Sequence, residues 1–170
     1  MEPKYPEQWP QFFTATINEW KSLLEQDKYK TIITDSLRFL VHDKRIILNG
    51  FVVMNNHIHL IWQACHGHTL QKVQQGFMKY TAQQIKFDLL KNNNSLLDEY
   101  KINAADRKYN FWQRRSLGIE LFTTKAYQQK LNYIHNNPVK TGLCKYPEQY
   151  QYSSARFYHT GIDEFDMLTC

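Results

Sequence analysis

Two histidines, His57 and His59, stand two residues apart in the run Met54–Trp62, MNNHIHLIW. The run has strand character, and successive strand side chains point to opposite faces. Both imidazoles therefore project from one side, with Ile61 beyond them. Ile58, Leu60 and Trp62 face the other way and supply the burial that holds the strand still. Two imidazoles on a rigid strand make half of a metal site, and the coordination positions they leave open are what a catalytic metal needs. A half-exposed strand that simply alternates is the bland alternative.

Further along, Tyr133 and Asn137 lie one turn apart on a helix, on a face distinct from its Tyr127–Leu131–Ile134 contact stripe. If a cation sits on His57 and His59 and Asn137 adds a side-chain oxygen, open positions remain for phosphate oxygens or water. Such a metal acts as a Lewis acid on a phosphodiester. Tyr133 is then placed to attack phosphorus, because a phenol of pKa near about 10 ionises far more readily than an aliphatic alcohol. The products are a phosphotyrosyl enzyme and a free DNA hydroxyl, and the retained bond energy lets a strand hydroxyl rejoin the DNA without ATP. His135 should point elsewhere, so no general base accompanies Tyr133.

The elements that must position these groups follow from the patterning. Phe12–Trp20 reads as a first strand, Thr31–Val41 as a helix packing on a sheet, and Ile46–Met54 as a central strand apolar on both faces. Asn55-Asn56 suits a two-residue hairpin turn, since asparagine tolerates positive φ; one long strand from Ile46 to Trp62 is the alternative. Thr69 caps a long helix over Leu70–Leu90 with Val73, Phe77, Tyr80, Thr81, Ile85 and Leu89 near one face. Tyr109–Phe122 reads as a fourth strand. Thr123 or Thr124 then caps a helix that should stop around Asn136–Asn137, ahead of Pro138. Strand, helix, two strands, helix, strand, helix is an α+β, ferredoxin-like (RRM-like) arrangement: an antiparallel sheet with helices on one face. Residues 1–170 form one domain on this reading. It has a proline-punctuated N-terminal arm over 1–11, an inserted loop or short irregular helix over 91–108, and a loose C-terminal tail over 159–170.

Charge and composition narrow the partner. The formal charge is +5, with Lys and Arg outnumbering Asp and Glu by 21 to 16, which favours a polyanion. Lys72, Lys79 and Lys86, seven apart, line up along the long helix as a track for phosphates or as an ordinary solvated face. Trp112, Gln113, Arg114 and Arg115 mix an aromatic ring with guanidinium groups, which suits base stacking and phosphate contact. Cys65, Cys144 and Cys170 show no CxxC spacing and argue for a reducing cytoplasm. The start MEPKYPEQWPQ is neither a secretory signal nor a membrane anchor, and no apolar run approaches the roughly 18 residues of a membrane-spanning helix.

Three blocks, VVMNNHIHLIW (Val52–Trp62), FWQRR (Phe111–Arg115) and YIHNNPVKTGL (Tyr133–Leu143), together resemble the single-tyrosine HUH transposases. The branch they resemble is that of the REP-associated tyrosine transposases. The similarity runs from about Ile46 to Arg156 and takes in SSAR (Ser153–Arg156). It implies a ferredoxin-like domain that cleaves single-stranded DNA beside a hairpin. It also implies dependence on Mg²⁺ or Mn²⁺ and a 5′-phosphotyrosine intermediate. On the matching positions, His57 and His59 correspond to the HUH pair, Tyr133 to the nucleophile and Asn137 to the polar third ligand. The family includes dimers that share active sites, which leaves a homodimer open. A cytoplasmic location, on the nucleoid when DNA is bound, goes with this reading.

Asn55 stands where the family usually has proline, and Ser116 where an aromatic is common. Residues 91–108 and the arm match nothing in the family pattern. Two readings from other classes compete: a non-catalytic RRM-like module that binds single strands, and a zinc-structured protein using His57, His59, His66 and Cys65.

Overall fold

A computed structural model describes residues 8–170; the arm expected over 1–11 falls for its first seven positions outside the described residues. Strand β1 (Gln11–Thr16) alternates cleanly, with Phe13 and Ala15 towards one face and Phe12, Thr14 and Thr16 towards the other. It ends short of the expected Trp20. The Ile17 N–H donates to the Asn56 carbonyl of the hairpin turn at 2.8 Å, and the chain then makes two single-turn 3-10 helices, Asn18–Trp20 and Leu23–Glu25. Glu19 and Trp20 both take φ of +57°, left-handed backbone that costs an L-residue of order 1–3 kcal/mol.

Helix α1 (Asp27–His42) starts ahead of the expected Thr31 and buries Tyr29, Ile33, Leu37 and Leu40 on one stripe. The expected hairpin forms from β2 (Ile46–Val53) and β3 (His57–Ala64). Neither asparagine of its turn takes a positive φ. The turn is held from outside instead: Asn55 accepts from the Leu24 N–H at 2.9 Å and from Lys30 Nζ at 3.1 Å, through its carbonyl and Oδ1 respectively. Helix α2 (Leu70–Asn92) is capped by Thr69 as expected and buries Val73, Phe77, Thr81, Ile85 and Leu89, while Tyr80 lies exposed beside that stripe. The stretch expected as an inserted loop holds the end of α2 and a short helix, α3 (Asn94–Asp98). Leu97 and Tyr100 fix it to the core.

Strand β4 is only Leu117–Glu120, far shorter than the expected Tyr109–Phe122. Thr14 faces Leu117 and Ile17 faces Trp112, so Gln113–Ser116 lie opposite only Ala15 and Thr16 and the chain bulges out there. The sheet order is β2-β3-β1-β4, all neighbours antiparallel, which is the ferredoxin-like order. Helices α1 and α2 pack on one face over Phe13, Phe51, Leu60 and Trp62. The face that carries His57 and His59 is left to α4 (Thr124–Lys140), whose Leu131 and Ile134 pack on Phe12, Val52 and Ile61. Gly50 lets that helix approach closely, since a Cβ there would stand 2.8 Å from Leu131 Cδ1.

Helix α4 does not stop before Pro138 but runs through it to Lys140. The proline falls in the last turn, where its missing N–H withdraws one bond from a helix already ending; Asn137 stays helical, and its carbonyl accepts from the Thr141 N–H at 3.2 Å. After α5 (Ala155–Thr160) the tail is not loose, contrary to expectation. Leu168 pairs with Leu48 on the outer side of β2, the Thr169 N–H donates to the Leu48 carbonyl at 2.9 Å, and Met167 is buried. Asp163 organises this segment by accepting from the backbone N–H groups of Phe165, Met167 and Leu168 at 3.0, 2.7 and 2.6 Å. An Asp163→Ala protein should lose about 1–3 kcal/mol of stability and expose residues beyond Gly161 to carboxypeptidase. Unchanged melting and digestion would contradict this account of the tail.

Candidate active site

The hairpin brings both histidines to the α4 face at the end of β3 nearest the turn, their rings 4.8 Å apart and nearly perpendicular. Each ring is fixed through Nδ1. His57 Nδ1 meets Asn56 Oδ1 at 2.7 Å, and an amide oxygen only accepts, so this nitrogen carries the proton. His59 Nδ1 meets Thr14 Oγ1 at 2.7 Å, across the β1–β3 register that pairs these two residues. His59 Nε2 is buried with no hydrogen-bond partner among the described residues. When Nδ1 donates to Thr14 Oγ1, Nε2 keeps its lone pair and is an electron-pair donor with nothing to accept it. It is the arrangement by which an outer partner prepares an imidazole for a cation.

Burial keeps both rings neutral. Desolvation pushes the His59 pKa down to about 3, with the neighbouring His57 ring and the Lys130 ammonium adding to it. Desolvation lowers His57 too, against a hydrogen bond with Asn137 that raises it. That bond brings Asn137, buried on the last turn of α4, to the histidine pair. His135, two residues beyond Tyr133, turns away as expected: its Nε2 lies 2.8 Å from Ser154 Oγ, and burial lowers its pKa to about 4.

Three histidines held neutral by the fold destabilise it in acid. The unfolded chain binds their protons near pH 6.5, the native protein only near 3 to 4 for His59 and His135, so unfolding gains protons across that window. Melting temperature should be flat above neutral pH and fall from about pH 6.5 downwards, before carboxylates titrate. His135→Gln should shrink the fall. A melting temperature constant to pH 5 would refute it.

Tyr133 stands on α4 over the same pair. Its ring centroid is 5.3 Å from that of His59 and 6.0 Å from that of Phe12, and the residue is 42% exposed. Phe12 stacks on His59 at 5.3 Å and so braces the group from the β1 side. Lys130 Nζ lies 5.7 Å and Lys140 Nζ 5.6 Å from the Tyr133 ring, and neither ammonium pairs with a carboxylate among the described residues. The result is an open, cationic rim around a phenol, with two neutral nitrogens and an amide beside it. Thr14, Asn56, Phe12, Lys130 and Lys140 escaped the sequence reading. Thr14 and Phe12 become visible only through the β1–β3 register, and the lysines only once α4 is laid on the sheet.

Of the residues expected to contact DNA, Lys79, Trp112, Gln113 and Arg114 border one cleft, and Lys72 lies at another. Trp112 is a core residue, 5% exposed, whose indole N–H donates to Thr81 Oγ1 at 3.1 Å; it has no free face for a base, which corrects the expectation. Its neighbours Arg114 and Arg115 are exposed because the bulge throws them outward, whereas the Gln113 N–H is tied to the Thr16 carbonyl at 2.8 Å. Lys79 and Arg114 border a cleft of about 1020 Å³ between α2 and residues 106–116, which also holds Arg107. Lys86 lies 6.0 Å from the Tyr109 ring, and Lys72 borders a separate apolar cleft with Phe39 and Tyr80, so the three lysines do not share one groove. The zinc set is not assembled. Cys65 and His66 follow β3 at the end opposite to His57, roughly 25 Å or more along the strand. Among the described residues no three of His, Cys, Asp and Glu gather as a metal cluster.

Over 143 residues the chain is 24% identical to the REP-associated tyrosine transposase of Escherichia coli (strain K12), spanning 84% of this chain and 74% of that one. The chain is similar to REP-associated tyrosine transposases. A REP-associated tyrosine transposase whose structure was determined bound to a REP hairpin shares the fold, with a TM-score of 0.68 at 20% identity over 100% of this chain and 91% of that one. A Deinococcus radiodurans R1 protein provisionally assigned as a transposase shares it at a TM-score of 0.54 and 14% identity, over 80% and 95% of the two chains. No family model matches the chain. The resemblance carried by the three sequence blocks is thus borne out by a REP-associated transposase relative and by the α+β fold it shares. No described helix is long and apolar enough to cross a membrane.

Proposed function

We propose that this protein is a single-stranded DNA nicking and joining enzyme that cleaves beside a hairpin through Tyr133. The observation that carries the reading is the meeting of an exposed phenol with the buried, unpartnered His59 Nε2 on one open face. The Tyr133 oxygen attacks a backbone phosphorus; the new bond is Oη–P, and the bond to the 3′ oxygen breaks. The phenol gives up its proton, the departing 3′ oxygen takes one up, and the 5′ phosphate stays on the protein. A later strand hydroxyl reverses the exchange, without ATP, because no high-energy bond has been spent.

His57, His59 and Asn137 fit a hard or borderline divalent cation, Mg²⁺ or Mn²⁺, on the grounds of two imidazoles anchored through Nδ1 and the orphaned nitrogen. When bound, that ion supplies Lewis-acid polarisation of the phosphate. The chain's own groups do the rest. Thr14 and Asn56 anchor the two imidazoles through Nδ1, and Phe12 fixes the His59 plane. Lys130 and Lys140 offer positive charge to the phosphate without a competing carboxylate, and the α4 register sets the phenol over the pair. Single-stranded DNA carrying a hairpin is the substrate class by similarity to the REP-associated relatives.

The test is incubation of a hairpin-bearing oligodeoxynucleotide, with single-stranded flanks, with the protein and Mn²⁺. A covalent protein–DNA adduct that survives denaturation is expected, with the phosphate on tyrosine. DNA that is bound and released uncut would instead make the protein a single-strand binding module.

A further inference from the structure

Trp20 is the most conspicuous side chain near the site that the mechanism leaves unused. It sits in left-handed backbone directly after Glu19, also left-handed, a conformation in which a bulky L-residue is a steric outlier. Strain of that kind persists where the surroundings over-determine it, and it clusters at functional sites. Here the Trp20 N–H donates to the Ile17 carbonyl at 2.9 Å, its carbonyl accepts from Asn56 Nδ2 at 3.4 Å, and Lys21 pairs with Glu19 at 3.1 Å.

Burial does not compensate for the strain, because the residue is 59% exposed. Its one ring neighbour among the described residues is His57, met edge-on at 6.1 Å. Two other exposed aromatics differ on both counts: Phe39 rides under Arg45 and Phe122 against Trp9, each on ordinary backbone and away from His57 and His59. A fold that strains its backbone to hold an indole in water beside His57 is presenting that indole to something flat.

We propose that Trp20 is a stacking platform for one unpaired base of a single-stranded DNA substrate. The base belongs to a nucleotide next to the phosphate gathered at His57, His59 and Tyr133. The location of that phosphate rests on the strand-transfer reading above. Trp20 touches His57 but neither His59 nor Tyr133, so its base neighbours the reacting position and does not occupy it. An indole accepts the face of any base, so the contact fixes the path of the strand and selects against duplex, whose bases are already stacked. Trp20 is a positioning residue on this account.

Full-length protein carrying Tyr133→Phe, so that bound DNA stays uncut, is titrated with a hairpin oligodeoxynucleotide in which 2-aminopurine replaces each single-stranded flanking base in turn. Quenching at one or two positions is expected. Trp20→Gly and Trp20→Ala should abolish it and weaken binding about 5- to 150-fold, while Trp20→Phe keeps most of both. Trp20→Gly relieves the left-handed strain as it removes the ring, so it should melt no lower than the parent protein, whereas a ring needed only for folding would lower the melting temperature. Quenching or affinity that survives Trp20→Gly overturns the assignment, as does the absence of quenching at every position. Failure of the strand-transfer reading shows separately, as wild-type protein that makes no adduct while the Trp20-dependent quenching persists.

Discussion

Tyr133→Phe protein is expected to form no covalent DNA adduct at all, and its cleavage rate should fall by roughly 10³-fold or more, as when a nucleophile is removed. DNA affinity should stay within a few-fold of wild type. Phenylalanine keeps the ring that meets Phe12 and His59 and that Lys130 and Lys140 overlie, so only the hydroxyl is lost. Folding should be almost untouched, because Tyr133 is partly exposed and no protein group takes up its hydroxyl among the described residues. Gel separation of adduct under denaturing conditions, alongside a binding titration, separates chemistry from recognition. Wild-type levels of adduct would move the nucleophile elsewhere. Tyr127 is a poor substitute, since its hydroxyl lies 3.5 Å from that of Tyr158, which itself donates to the Asn49 carbonyl beyond the far end of the histidine cluster.

His59→Ala should be nearly as damaging to cleavage, by a different route. It deletes the buried Nε2 and leaves His57 and Asn137 as an incomplete donor set, so Mn²⁺ affinity should fall more than about 100-fold, the upper end of what even an outer partner is worth. Ligand binding raises melting temperature by mass action, and saturating Mn²⁺ should therefore raise it in the wild type and leave it unmoved in the variant. DNA binding without metal should persist. The variant also removes an unsatisfied buried nitrogen, which offsets part of the stability lost with the ring's packing on Phe12. An equal Mn²⁺ response in both proteins would show that the cation sits elsewhere or nowhere.

What the sequence disclosed and concealed divides along physical lines. The β2–β3 hairpin, the α2 cap at Thr69 and the face shared by His57 and His59 were legible because alternation and capping are local. The pairing of Tyr133 with that face was legible through the spacing of its block. Trp112 misled because an aromatic beside arginines looks the same whether it faces DNA or Thr81; only the tertiary partner decides. Pro138 misled because the rule against proline applies to helix interiors and this one sits in the last turn. The tail misled because the three N–H groups collected by Asp163 leave no periodic trace in DEFDML. Trp20 carried no signal, as left-handed backbone is expected at glycine or asparagine and not at tryptophan.

The tail's attachment to β2 also decides how copies of this chain can meet. Ser153 pairs with Val52 and Leu168 with Leu48, so β2 has its outward backbone groups taken within its own molecule, whereas β4 has no outer neighbour among the described residues. A sheet sealed along one margin and bare along the other can be extended in a single direction. Two molecules joined margin to margin through β4 would turn sealed sides outward, so strand addition halts at a closed pair and does not run on into a fibre.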